Sequence, residues 1–465
     1  MSKSRKPTLP RQTKGQPAQP KPPKLDALAQ INHHAAGLDI GDAEIYAAVP
    51  ESAADPAVRV FRTFTSDLKV LADWLAACQV DTVAMESTGV YWLPIYELLE
   101  ERGFQVYLVN ARQLKNVTGK KTDILDCQWI QQLHTYGLLQ PSFRPPAEIC
   151  AVRAMVRQRV RLLQSCAAEI QHMQKALQQM NLKLTNVLTD ITGVTGLLII
   201  RDIVAGVRDP HKLSTHRDPH CKKSAAEIAA SLTGNYKREH LFALKQALQV
   251  YDFYQEQVVA CDTELASLYA ELDSQVDPVA QPLPPPRRPH SRRRNEAHFD
   301  LRNELYRIAG VDLTTVTGLD ALTVQGVLSE TGVDISPWPT VKHFTSWLGV
   351  CPENAKTGGK IIKRGTQPGA NRAALALQLA ARSLHHSDSA LGAFYRRMCS
   401  KLGKPQAVTA TAHKLARIIY AMLKSKQPYK DPGVDHDTQQ VRERKLKQLQ
   451  RQAKELGYEL TPNAA

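Results

Sequence analysis

The chain has 465 residues, 60 Lys and Arg against 45 Asp and Glu for a formal charge of +15, and 43% hydrophobic but only 6% aromatic residues. That length predicts two or three folded units with enough apolar chain to bury a core unaided. The eight cysteines (Cys78, Cys127, Cys150, Cys166, Cys221, Cys261, Cys351, Cys399) form no C-x-x-C pair, which argues against thiolate zinc and a disulfide scaffold, while the positive balance points to a polyanion, most commonly nucleic acid.

Residues 1–34 read as a disordered basic arm: positions 2–24 hold seven cations and six prolines, with no acid before Asp26. A basic start followed by Pro-rich sequence offers no secretory core, and the most apolar stretch, Gly193–Val207, is broken by Arg201-Asp202 and is short of the ~20 residues of a bilayer span. Residues 35–145 alternate apolar runs with helical stretches, predicting an α/β domain with strands at Ala36–Val49, Val58–Phe64, Thr82–Glu86 and Gln105–Val109. Helices are expected to start near Ser66, Tyr91 and Asp123. Thr65-Ser66-Asp67 offers an N-cap for the first, and Gly103 a stop for the second.

Residues 146–272 carry heptads. Ile149, Val156, Leu163, Ile170, Leu177 and Leu184, seconded by Val152, Arg159, Cys166, Met173, Met180 and Val187, predict a helix ~65 Å long with one polar intruder. A second series (Leu244, Tyr251, Val258, Leu265, Leu272) predicts an antiparallel coiled-coil hairpin with a basic insertion at its far end, serving subunit contact or packing within one chain. Residues 273–300 read as a Pro/Arg-rich linker, 301–428 as a mainly α domain and 429–465 as a charged tail. Segments 188–194 and 305–311 share a glycine turn that suits either a phosphate-binding helix-hairpin-helix or an ordinary helix junction.

Asp39 lies within Gly37-Leu-Asp-Ile-Gly41, an apolar strand where a carboxylate is costly unless paired or metal-bound. Glu86 ends another strand, and Asp123 and Asp126 share the first turn of a helix. Such carboxylates suit two hard divalent ions about 3.5–4 Å apart in phosphoryl transfer. Lys120 and Lys121 beside them favour an anionic substrate. Taken one by one, these acids have plainer readings as a helix cap, a solvated first-turn acid and a strand-end charge. In the C-terminal part, Lys356-Thr-Gly-Gly-Lys360 with Gly358 and Gly359, then Lys363-Arg364 and Asn371-Arg372, form a glycine-rich cationic loop fit for a sugar-phosphate backbone, with Thr357 as its hydroxyl. His33-His34 and His385-His386 lack metal spacing and read as exposed polar pairs. Tyr91-Trp92 reads as a core anchor in preference to a base-stacking pair.

The order Asp39, Glu86, Asp123, Asp126, in Gly-Leu-Asp-Ile-Gly, Met-Glu-Ser-Thr-Gly-Val-Tyr and Lys-Thr-Asp-Ile-Leu-Asp, resembles the DEDD transposases of the insertion sequence 110 family, over about residues 35–425. The resemblance implies a RuvC-like, ribonuclease-H-type N-terminal domain and a Mg²⁺-dependent DNA recombinase, acting in the bacterial cytoplasm near the nucleoid. Two ions are expected, Mn²⁺ being able to substitute. The family also implies a structured non-coding guide RNA, DNA at the element ends and target, and a homo-oligomer, dimer or tetramer, assembled through the coiled coil. In the family a serine of the C-terminal glycine loop joins covalently to DNA; this chain has Thr357 there. Thr357, Ser346 or Thr366 could supply that hydroxyl, or the copy could be inactive. A junction-resolving nuclease using water and a non-catalytic nucleic-acid-binding protein are the rival functions. A sugar kinase shares the Gly-Leu-Asp-Ile-Gly strand but needs a second Asp-x-Gly strand and an adenosine turn that the sequence does not offer.

Overall fold

A computed structural model describes residues 28–87, 89–114, 122–285, 295–352, 355–358, 360–363, 365–366, 371–459 and 461. The chain divides into two compact units between Arg144 and Pro145.

The first unit is built on a five-stranded mixed sheet of order β3-β2-β1-β4-β5: β1 (Ala35–Ile40), β2 (Glu44–Ala48), β3 (Val58–Arg62), β4 (Thr82–Glu86) and β5 (Gln105–Val109). β1 pairs antiparallel with β2 and parallel with β4, giving the mixed open sheet of a ribonuclease-H-like region. The expected single strand over 36–49 is two, because the chain reverses after Gly41, whose amide donates to the Glu44 carbonyl. Among the described residues, four helices accompany the sheet: α1 (Thr65–Ala77), α2 (Trp92–Glu101), the short α3 (Ala111–Leu114) and α4 (Asp123–Thr135). Phe64, not the Thr-Ser-Asp cluster, occupies the N-cap of α1 and makes no side-chain cap, so the cluster lies inside the first turn. Gly103 follows α2 in the left-handed region (φ +84), as a C-terminal glycine does.

Strand alternation assigns the two faces. Ala36, Leu38, Ile40, Val83 and Met85 share a core with Leu71 and Leu75 of α1 and Ile95 and Leu99 of α2. On the other face small residues predominate on β1 and β4, and Ala84 and Val109 pack with Ile130 and Leu133 of α4. Small side chains there bring α4 close to the sheet. Trp92 packs at the edge of the first core, whereas Tyr91 is exposed, so only half of that aromatic pair is an anchor.

The second unit is long and mainly helical, and no helix among the described residues is long and apolar enough to cross a membrane. It begins with α5 (Ala147–Gln179), α6 (Leu184–Val187), α7 (Val194–Ala205), α8 (Pro210–Ser214), α9 (Ala225–Ser231) and α10 (Arg238–Glu271). It continues with α11 (Leu301–Ala309), α12 (Ala321–Thr331), α13 (Val341–Trp347), strands β6 (Ala355–Thr357) and β7 (Lys360–Lys363), α14 (Arg372–Ser383), α15 (Ala390–Leu402), α16 (Lys404–Ser425) and α17 (Val434–Glu455). α5 and α10 are 33 and 34 residues, ~50 Å each. They run antiparallel: Arg159 meets Asp262, and Cys166 accepts from Gln255.

α5 is shorter than its heptads predict. At Asn181 the backbone turns left-handed (φ +57), and the amides of Asn181 and Leu182 donate to the carbonyls of Gln178 and Leu177. This Schellman stop uses the residue that best tolerates that conformation after glycine. Heptad spacing persists past the break because Leu184 is buried in the same core. The polar intruder Arg159 is itself buried, paired with Asp262. The two glycine turns also prove different: Gly193 starts α7 from an extended conformation (φ −69), while Gly310 ends α11 at φ +70.

Candidate functional site

The parallel register of β1 and β4 ends at Leu38↔Met85, so Asp39 and Glu86 follow side by side at the C-terminal ends of adjacent strands, on the α4 face. α4 opens at Thr122, whose Oγ1 accepts from the Leu125 amide at 3.3 Å, and this cap sets Asp123 and Asp126 in the first turn. Asp39, by contrast, is more than half buried. Burial first, then the charges of Asp126, Asp123 and Glu86, push its carboxyl up to about 6 against the opposing hydrogen bond from Ile40. All four acids therefore lie within electrostatic reach of one another.

Their all-oxygen donor set fits a hard divalent cation, whose charge would relieve the repulsion that Asp39 suffers. Among the described residues, no three His, Cys, Asp or Glu side chains stand close enough to hold an ion. Lys120 and Lys121 fall outside the described residues.

The C-terminal glycine loop is a two-stranded antiparallel hairpin in which Thr357 pairs with Lys360 across positions 358 and 359. Gly358 takes φ +55, a conformation suited to glycine, and Thr357 and Lys360 are exposed at the tip. Asn371 caps α14 by accepting from the Ala374 amide at 3.2 Å, and Arg372 opens that helix exposed. Gly359, Arg364 and the side chains of Lys356 and Lys363 lie outside the described residues. Of the alternative hydroxyls, Ser346 is exposed on α13, and Thr366 is exposed and bridges to Pro352. His33, His34, His385 and His386 are all exposed.

Two family models match the chain: a DEDD-type transposase model named for IS110 over residues 36–182, and a transposase model of the IS116/IS110/IS902 family over residues 310–396. The chain belongs to the IS110 family of transposases. No curated protein matches it.

Three residues of this transposase gain importance only from the fold. Tyr46, opposite Asp39 across β1 and β2, has its hydroxyl pushed up chiefly by Glu44, with smaller contributions from burial, Asp123 and Asp39. Cys127 is buried beneath the acids, where burial and then Asp39 push its thiol up to about 12, so it stays protonated. Gly37 is the point where α4 rests on β1: a Cβ there would stand 2.3 Å from the Gln131 amide nitrogen and 2.4 Å from the Cys127 carbonyl oxygen. Both are backbone atoms, which cannot rotate aside. Gly37→Ala is therefore expected to destabilise the transposase by about 1–3 kcal/mol, measurable by urea denaturation. Unchanged stability would mean that α4 is not seated on β1 as described.

Proposed function

We propose that this transposase cleaves and exchanges DNA strands through a covalent hydroxyl-phosphate intermediate, under the guidance of a structured RNA. The supporting observation is the common electrostatic field of Asp39, Glu86, Asp123 and Asp126 at one end of the sheet. Mg²⁺ held by these carboxylates, as two ions or with Mn²⁺ in its place, would neutralise phosphate charge and stabilise the attacking and leaving oxygens. The Thr357 hydroxyl attacks the scissile phosphorus and loses its proton; a threonine-phosphate ester forms as the sugar-oxygen bond to phosphorus breaks, and the departing oxygen is protonated. Lys356, Gly358, Gly359, Lys360, Lys363, Arg364, Asn371 and Arg372 hold the sugar-phosphate backbone around that hydroxyl, and Lys120 and Lys121 do so beside the acids.

In this reading, residues 1–34 are a basic arm, 35–145 the acidic catalytic domain, 146–272 the coiled-coil hairpin, 273–300 a linker, 301–428 the domain of the threonine loop and 429–465 a tail. The hairpin joins copies of the chain. Phe242, Val250 and Phe253 of α10, apolar yet exposed, support that role.

Covalent trapping tests the mechanism. With element DNA, guide RNA and Mg²⁺, SDS denaturation is expected to leave DNA attached to the wild-type protein and none to Thr357→Ala. Cut but unattached DNA from the wild type would replace this mechanism with hydrolysis by a junction nuclease.

A further inference from the structure

Tyr91, the half of the aromatic pair that does not anchor the core, stands beside the acidic group. The chain leaves β4 at Glu86, the Ser87 amide donates to the Val109 carbonyl, and Gly89 turns the backbone at φ +57. Trp92 fixes that turn by donating Nε1 to the Gly89 carbonyl at 3.3 Å. Tyr91 lies back over it: a Cβ on Gly89 would stand 3.5 Å from Cδ2 and Cε2 of the ring. Val90, Tyr91 and Leu93 are 74%, 45% and 39% exposed, an apolar group left facing water just past an acid of the site.

Tyr46 is its counterpart on the other side. On β2 it stands opposite Asp39, and Val60 of β3, 48% exposed, stands opposite it in turn. Its hydroxyl donates to Glu44 Oε2 at 3.2 Å. Glu44 begins β2, so the Tyr46 side chain leans toward the end of the sheet that holds the acids, and the charges of Asp123 and Asp39 reach it there. Arg62, at that end of β3, is turned to Asp67 at 3.5 Å and to the Phe64 ring.

Across that end of the sheet the order is therefore Tyr46, Asp39, Glu86, Tyr91, with acids inside and aromatic rings outside. Carboxylates suit cations and the phosphate those cations hold, whereas a ring suits the face of a base. β2, which carries Tyr46, and β4, which leads to Tyr91, are two strand spacings apart, ~10 Å. Neighbouring bases in a stacked strand are only ~3.4 Å apart. Two bases that stay stacked on each other cannot each rest on one of these rings.

We propose, on the reading of the four acids as the site of phosphate chemistry, that Tyr46 and Tyr91 take the two bases flanking the scissile phosphate, one on each side of the acid pair. The site then selects a DNA strand that is unpaired and unstacked at the step to be cut. Base identity is not read, because every base offers a ring face.

The test titrates the full chain, with Ca²⁺ supplied in place of Mg²⁺ as a hard cation for the same oxygens, against two fluorescein-labelled DNA duplexes of one length. One is fully paired and the other carries a mismatch bubble of two nucleotides. By fluorescence anisotropy the wild type is expected to bind the bubble at least about fivefold more tightly than the paired duplex, and Tyr46→Ala/Tyr91→Ala to bind both alike. Tyr46→Phe/Tyr91→Phe keeps both rings and is expected to keep the preference. Affinity for the paired duplex should be the same for all three proteins, which a merely structural loss would not leave intact. The single variants Tyr46→Ala and Tyr91→Ala, each expected to lose part of the preference, decide the matter if the double alanine variant misfolds. A wild type indifferent to the bubble, an alanine variant that keeps the preference or a phenylalanine variant that loses it would overturn the assignment. Binding is read without cleavage: bubble preference with no trapped DNA leaves the two rings standing and the covalent mechanism fallen, and trapped DNA with no bubble preference does the reverse.

Discussion

Asp39→Asn is expected to lower metal-dependent strand cleavage by at least about 10²-fold, and at the same time to stabilise the metal-free protein at neutral pH. The folded carboxyl titrates near 6, above its ordinary value of 3.8. A group raised on folding supports the fold fully below its unfolded pKa and loses that support as pH rises through the folded value. Between pH 4 and pH 6 the wild type therefore loses stability that an uncharged asparagine keeps. Each tenfold change in proton affinity is worth ~1.4 kcal/mol, so the full effect is bounded at ~3 kcal/mol, and partial solvent access reduces it to about 1–2 kcal/mol. Urea denaturation in EDTA at pH 4 and pH 8, paired with cleavage assays in Mg²⁺, measures both effects. Full cleavage by the variant would remove Asp39 from the chemistry; equal stability of the two proteins at pH 8 would remove the electrostatic strain.

Asp262→Ala should cost about 3–5 kcal/mol, a larger loss of stability than Gly37→Ala. Arg159 and Asp262 are 3% and 1% exposed, deep between α5 and α10. The guanidinium donates to the carboxylate at 2.5 and 3.1 Å and to the Asn295 carbonyl at 3.1 Å, while His298 donates its backbone amide at 3.2 Å and places Nδ1 at 2.8 Å. Removing the acid strands a cation with no water to solvate it. The double variant Arg159→Met/Asp262→Leu is expected to lie within about 1 kcal/mol of wild type, since burying two charges nearly offsets their attraction. Thermal and urea denaturation of both proteins checks the pair. A single variant no weaker than the double would show that Arg159 reaches water or another acid.

Much of the fold was legible because it rests on local rules. Thr82–Glu86 and Gln105–Val109 form where short apolar runs sit between turn residues, and Asp123 begins α4 because Thr122 precedes it as a cap. Heptad spacing marks the two long helices. It does not mark the end of α5, because Asn181 stops the helix through its own backbone conformation while the apolar spacing runs on. The reversal after Gly41 is hidden for a similar reason, both arms being apolar strands.

By itself the sequence determined the order Asp39, Glu86, Asp123, Asp126, the family motifs, the excess charge and the polar break at Arg159. Tertiary structure decided what those residues face. Parallel pairing sets Asp39 beside Glu86, the bare Cα of Gly37 admits α4 with its two acids, and α10 brings Asp262 to Arg159. Periodicity and capping act over a few residues and can be read along the chain. Strand order and helix docking minimise exposed apolar area over the whole domain, so neighbours distant in sequence appear only when the chain is packed.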